Sequence, residues 1–473
     1  MAVPCLSARH QPSEAPRDDL EEECWCRGAD RRPGVTGRAT GGGPAPGFAI
    51  GGVVRWLGVI GWVLACFLTG VLSPGPQAAS AADEPALVLG EFSGGAHRAV
   101  VAVLREDLEW AGLLAPGGGA AAVDDNGQAD GLEGDAVGLA PWRIEGTVSG
   151  PNVEGRLVQP DGRMVWRRRF EGPDLRRNVH RLADDVAETL TGRRGIASTR
   201  IVFVREHNQR RELFTCDYDG HNEMQLTQDQ SLNVGPSISA DGRILVYTGY
   251  LGGFPDLYVI DLEAEDRVRL VDAPGLTSGA AVSPDGRLVA LAMSFTGNIE
   301  IHVASLAGGA TSRVTAGTAF SPSWSPDGRR LAVVYGGEGG LARPSIALCS
   351  LESGAVELLG SRYAACVDPA WSPDGRKLAY SVIDEGGRRG VVVRDLARGT
   401  ERMVAEGGVE PAWSGSSRHL VFVRDGELHQ IDVVSGRQRV IVRGRGRVSE
   451  PAWSWQALDL EHGEMAEQEV DLP

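Results

Sequence analysis

The segment Asp368–Tyr380 reads DPAWSPDGRKLAY, and copies of it recur through the second half of the chain. SPSWSPDGRRLAV occupies 321–333, GAAVSPDGRLVAL 279–291 and GPSISADGRILVY 235–247. EPAWSGSSRHLVF from Glu410 and EPAWSW from Glu450 are degenerate copies. The motif serines are Ser239, Ser283, Ser325, Ser372, Ser414 and Ser454, separated by 44, 42, 47, 42 and 40 residues. Such a step holds four short strands and their turns, which is one propeller blade. Six serines therefore predict an all-β, six-bladed β-propeller over residues 196–457.

The ends of the array predict how the ring closes. After Ser454 no room is left for three more strands. Before Ser239, TRIVFVREHNQRRELFTCDYDGHNEMQLT (Thr199–Thr227) offers three strands with no motif strand ahead of them. The strand around Glu450–Ser454 is thus expected to join the sheet begun at Arg200–Val204, leaving no free sheet edge. Within each copy, Ala370–Trp371 ends the innermost strand and Ser372-Pro373-Asp374-Gly375 makes a turn. Proline presets φ, aspartate bonds nearby N–H groups and glycine supplies positive φ. KLAY then starts the next strand, expected to alternate exposed and buried residues. Trp324, Trp371, Trp413 and Trp453 are expected to fill the wedges between blades, each burying roughly 150–250 Å². The repeated serine is thereby read as architectural and not catalytic.

Upstream, residues 1–47 are rich in Gly, Pro, Arg and Glu without apolar period, and read as disordered or untranslated. Cys24-Trp25-Cys26 lacks a second ligand pair and is not a metal site. Residues 48–81 read as a secretory signal: Arg55, an uncharged run Trp56–Leu72, then Ala79-Ser80-Ala81 as a small-x-small cleavage site. A retained membrane anchor is the alternative; in either case the remainder is exported. Of seven cysteines only Cys216, Cys349 and Cys366 lie beyond the predicted cut, an odd number that implies no disulfide framework. They are read as small buried hydrophobes, with a Cys349–Cys366 bridge left open.

Residues 83–195 read as a smaller N-terminal α+β domain of order β-α-β-β-β-α, with both helices on one sheet face. ALVLGEF (Ala86–Phe92) is a buried strand. Val100, Val101, Leu104, Leu108 and Ala111 recur at helical spacing, as do Leu175, Val179, Leu182, Val186 and Leu190, with Gly192 as C-cap. Pro116–Ala140 is a Gly-, Ala- and Asp-rich insertion. His97, His180 and Arg167–Arg169 read as solvated surface. DYDGHN (Asp217–Asn222) is a turn between outer strands; its glycine comes too early for a calcium loop. Residues 458–473 form an acidic tail.

With GEFSGG, LREDLEWAGLL, LRRNVHRLADDVAETLTGRRGIASTRIVFV and DYDGHNEMQLT running into the SPDG blades, the chain resembles the TolB family, periplasmic propellers of the Tol–Pal envelope system. The resemblance spans about Ala86 to Trp453. It implies a non-catalytic scaffold that binds the peptidoglycan-associated lipoprotein Pal through the propeller and supports outer-membrane integrity and cell division. It also implies a TolA-contacting N-terminal strand. Here only Ala82-Asp83-Glu84-Pro85 would precede ALVLGEF after cleavage, so that arm reads as truncated and coupling to TolA is in doubt. A monomer in the periplasm is expected. The family's Pal-contacting loops fall at Leu276, Thr277, Ser278 and Gly279 and at Ala319, Phe320 and Ser321, although the residue types differ from the family's.

The loops entering the inner strands should ring one mouth of the channel. Four residues before each motif serine stand Gly235, Gly279, Ser321, Asp368, Glu410 and Glu450, three small residues and then three acidic ones. Asp368, Glu410 and Glu450 are expected to cluster as exposed carboxylates at the mouth and to face a partner.

Other functions fit less well. A net charge of −16 argues against a nucleic-acid partner. A prolyl-oligopeptidase-like hydrolase needs a G-x-S-x-G domain, which is missing. The nine histidines are scattered with no H-E-x-x-H, so neither a metal nor a cofactor is expected. A propeller lyase and an anchored sensor ectodomain remain as alternatives.

Overall fold

A computed structural model describes residues 86–114, 141–271, 279–294, 297–308, 311–337 and 343–457. The expected signal segment, the insertion at Pro116–Ala140, Leu276, Thr277, Ser278 and the acidic tail lie outside the described residues. Among the described residues no helix is long and apolar enough to cross a membrane.

The first six elements are β1 (Leu87–Gly94), α1 (His97–Trp110), β2 (Trp142–Ser149), β3 (Asn152–Val158), β4 (Met164–Phe170) and α2 (Leu175–Thr191). The strands form one sheet in the order β1-β2-β3-β4, with β1 parallel to β2. Val100, Leu104 and Leu108 of α1 and Val179, Leu182 and Val186 of α2 are buried, as the helical spacing predicts. Asp174 caps α2 by accepting from the N–H groups of Arg176 and Arg177, and Gly192 ends it at φ 66°.

Six further four-stranded sheets follow. Sheet 1 joins Arg447–Trp453, from the chain's end, to Arg200–His207, Arg210–Asp217 and Met224–Gln225. The inner strands of sheets 2 to 6 are Asn233–Ile238, Ala281–Val282, Thr318–Trp324, Ala365–Trp371 and Val409–Trp413. Closure is therefore antiparallel pairing between the two ends, with Ala452 opposite Val202 and Trp453 opposite Ile201. Ser454 Oγ accepts from the Arg200 N–H, and Trp453 Nε1 donates to Thr199 Oγ1 at 2.8 Å.

The motif turn forms as its residues dictate. Gly375 has φ 71°, and its N–H donates to the Ser372 carbonyl at 2.9 Å. Ser372 is fully buried; its hydroxyl donates to Asp374 at 2.6 Å and accepts from the Lys377 N–H at 2.9 Å. The tryptophans bridge sheets: Trp324 Nε1 donates to the Ala281 carbonyl and Trp413 Nε1 to the Ala370 carbonyl. One expectation is corrected. The strand Lys377–Ile383 does not alternate, because Leu378, Ala379, Tyr380, Ser381 and Val382 are all buried. Each sheet is covered on both faces by its neighbours, so its middle strands read as continuous apolar runs. Cys216, Cys349 and Cys366 are buried and free.

Candidate functional site: the channel mouth and the helix contact

The six positions before the motif serines share an unusual backbone. Gly235, Gly279, Ser321, Asp368, Glu410 and Glu450 have φ of 61°, 103°, 51°, 52°, 55° and 53°. Five of the inner strands slip register there, between Val234 and Ser237, Phe320 and Ser323, Val367 and Ala370, Val409 and Ala412, and Ser449 and Ala452. The residue after each such position is Pro236, Pro322, Pro369, Pro411 or Pro451. Proline cannot donate to a ladder and is tolerated at a bulge. A left-handed residue followed by proline thus turns each inner strand at one level of the channel. The residues that follow line a cavity of about 210 Å³ shared by all six sheets.

The acidic residues do come together, but not as free carboxylates. Glu410 Oε2 accepts from the Glu450 N–H at 2.6 Å, and Glu450 Oε2 accepts from the Gly235 N–H at 2.5 Å. The Ser381 hydroxyl accepts from the Glu410 N–H at 2.8 Å and also bonds Asp368. Arg211 lies 3.5 Å from Glu450. The chain Asp368–Glu410–Glu450–Gly235 runs around the mouth and links sheets 5, 6, 1 and 2. All three acids are half-buried, so the expectation of exposed carboxylates is corrected. Burial pushes the Glu410 carboxyl up to about 7, helped by Asp368 and Glu450 and opposed by the Glu450 N–H. Burial likewise raises Asp368 and Glu450.

The small half of the mouth differs. Ala319 is fully buried in its strand and Phe320 packs between sheets 4 and 5, so Ala319 cannot touch a partner. Ser321 and Gly279 remain at the mouth. At the same end, the Tyr250 N–H donates to the Leu232 carbonyl, and Leu232, Leu251 and Phe254 are exposed by 40%, 42% and 77%.

A second charged cluster lies where the helices meet the propeller. Sequence reasoning misses it, because it treats His180 as solvated surface. The residue is 1% exposed, with Nδ1 2.7 Å from Asp107. Its partners are 73 and 39 positions away in the chain, so no local pattern reveals them. DYDGHN is a turn as expected, yet its Asp217, Tyr218 and Asp219 are buried against the helices. His180, Asp217 and Asp219 offer ligand atoms within 4.8 Å of one another. A cation fits poorly, since Arg176 and Arg200 already pair with the two aspartates. The buried guanidinium nitrogens without acceptors there, on Arg176 and Arg200, are donors that a cation cannot satisfy.

A family model described as the TolB beta propeller domain matches residues 187–457, more than half of the chain. The chain belongs to the TolB family. A TolB homolog of Chlorobium chlorochromatii is 30% identical over 209 residues, covering 42% of this chain and 47% of that protein. The Tol-Pal system protein TolB of Geobacter sulfurreducens is 34% identical over 182 residues, covering 35% and 40%. The chain thus aligns with less than half the length of these curated TolB relatives. Among solved structures, TolB from Acinetobacter baumannii superposes with a TM-score of 0.65 over 78% of this chain and 96% of that one, at 18% identity. That likeness is one of fold. The TolB family is non-catalytic, and the chain is accordingly assigned no reaction.

Proposed function

We infer that this chain is a periplasmic scaffold of the Tol–Pal system that docks a Pal-type peptidoglycan-associated lipoprotein at the channel mouth. TolB homologues are periplasmic, and two of the relatives above carry the TolB name. In this reading residues 48–81 are a cleaved signal, 83–195 the small domain and 196–457 six blades of one propeller. The protein acts as a monomer supporting outer-membrane integrity and division. A TolA-type partner is left out of this reading, since only Ala82-Asp83-Glu84-Pro85 would stand ahead of ALVLGEF after the predicted cut.

The observation that carries the reading is the mouth itself. Six left-handed residues surround it; three of them are small, and exposed Leu232, Leu251 and Phe254 stand at the same end. An apolar patch beside an open concavity is the usual mark of a binding surface. The acidic half is tied up in bonds around the ring, so the partner engages chiefly the half around Gly279 and Ser321. Calorimetric titration of a purified Pal-type lipoprotein tests this. Ser321→Arg keeps a non-glycine residue at φ 51° and fills the mouth. It should weaken binding at least about tenfold, or about 1.4 kcal/mol, with unchanged melting. Unchanged affinity in a folded variant places the partner elsewhere.

A further inference from the structure

Two buried histidines stand in the contact between the helices and the propeller, and their surroundings are opposite: two carboxylates face His180, whereas a carbonyl and a hydroxyl contact His419. His180 belongs to α2. Its Nδ1 is 2.7 Å from Asp107 of α1, and its Nε2 is 3.6 Å from Asp219 in the turn after Arg210–Asp217, the third strand of sheet 1. The Tyr218 hydroxyl donates to the same Asp107 at 2.5 Å, and its ring stands edge-on to the imidazole at 5.5 Å. Around this pair, Arg176 holds Asp219, His221 lies 3.2 Å from Asp219, and Arg200 lies 3.4 Å from Asp217. Asn222 bonds both Asp217 and the α2 cap Asp174. Arg439 of sheet 6 pairs with Glu106 at 2.5 Å and lies over the Tyr218 ring. Burial by itself would strip the imidazolium proton. Asp107 and Asp219 outweigh it and hold His180 at about 9. The same pairing keeps Asp219 down near 2 against its burial.

His419 begins the second strand of sheet 6. Its Nε2 is 2.9 Å from the carbonyl of Trp110, the last residue of α1, and its Nδ1 is 3.2 Å from the Ser416 hydroxyl. Nε2 therefore donates to the carbonyl, and Nδ1 accepts from Ser416 in the neutral ring. The charges facing it are Arg418 and Asp432, paired at 2.9 Å, together with Arg439. Arg437 and Arg439 cover the Trp110 ring at 4.6 and 4.3 Å, and Arg437 is 3.4 Å from Glu109. Here no carboxylate touches the ring, and burial pushes His419 down to about 4.

We propose that these two histidines form a proton-gated clasp that sets the pH window within which α1 and α2 stay seated on the propeller. His180 must carry its proton to bridge Asp107 and Asp219, and His419 must lack one to remain buried against Trp110. The clasp does not depend on which partner docks at the mouth. Its signs follow from linkage. The contribution of His180 is complete below about 6.5 and is lost as pH rises through about 9. The contribution of His419 is complete above about 6.5 and is lost as pH falls toward about 4. Asp184 of α2, raised by burial to about 6, has the opposite acid-side sign, so the acid edge must be isolated by substitution.

Hydrogen exchange of the full chain, read by mass spectrometry from pH 5 to 10 and corrected for base-catalysed exchange, tests the clasp. Helical residues 97–110 and 175–191 are compared with 377–395 of sheet 5. The expected protection of the helices peaks near pH 6.5 and declines progressively from there toward about 9 as the His180 contribution is lost. It should fall on the alkaline side by on the order of a hundredfold, the ratio set by the His180 shift, while sheet 5 stays level. His180→Gln should abolish the alkaline edge alone and His419→Gln the acid edge alone. Helix protection that is flat with pH, or that moves in step with sheet 5, overturns the proposal. If either variant fails to fold, 15N-histidine spectra of the native chain decide. His180 must be cationic at pH 8 and His419 neutral at pH 5.5; titration of both near 6.5 overturns the clasp.

Discussion

Glu410 shows how a single residue at the mouth can work against the fold it helps to shape. Its backbone sits at φ 55° and its carboxylate holds the Glu450 N–H, yet burial raises it to about 7. The folded state therefore favours the protonated acid, and stability falls as pH rises from about 4.5 through about 7. Glu410→Gln keeps an acceptor for Glu450 and removes the charge. It should melt higher than the native chain at pH 8, by about 1–3 kcal/mol of stability, and equally at pH 5. Thermal melts at the two pH values check this; a variant that is weaker at pH 8 would show that the charge is compensated. The offset of Glu410 from the motif serine was legible in the sequence, and so was its clustering with Asp368 and Glu450. Its positive φ and inward bonds were not, because left-handed acids are rare enough that local pattern points to an exposed loop. Reversing the charge at Asp368 and Glu410 would accordingly disturb folding as well as binding.

At the scale of the element, the motif turn and its tryptophan carry the packing between sheets. Trp371 is 2% exposed, and its truncation to alanine should cost about 3–5 kcal/mol as a core cavity. Asp374→Ala, which removes one partner of the Ser372 hydroxyl and of the Arg376 N–H, should cost about 1 kcal/mol. A finer contrast separates the tryptophans. Trp413 Nε1 donates to the Ala370 carbonyl at 3.1 Å, whereas Trp371 Nε1 is buried without an acceptor. Trp413→Phe should thus be more costly than Trp371→Phe by about 1 kcal/mol in urea unfolding. Equal costs would mean that the indole bond contributes nothing. This level was the most legible, since Ser-Pro-Asp-Gly specifies a turn by its own chemistry. The alternation expected in the following strand failed because the neighbouring sheets, not solvent, decide its outer face. His180 failed for a related reason: its helix stripe was read correctly, but the turn that buries it comes from another part of the chain.

At the scale of the whole molecule, closure depends on the last described strand. Truncation after Arg447 removes Glu450, Trp453 and Ser454, and with them the pairing to Val202 and Ile201 and the bond to Thr199. Sheet 1 would lose its inner strand, and cooperative unfolding should give way to a broad transition; a truncated chain with unchanged melting would contradict the closure. A TolB-family propeller with this mouth is proposed to serve as a docking scaffold for a Pal-type lipoprotein. The most direct measurement of this is site-specific photo-crosslinking in envelopes that hold both proteins. A photoreactive residue is placed at Ser321 at the mouth, or at Asp374 on the motif-turn face. A crosslink to the lipoprotein is expected from position 321 and none from 374. A crosslink from 374 alone, or from neither in a folded chain, would contradict it.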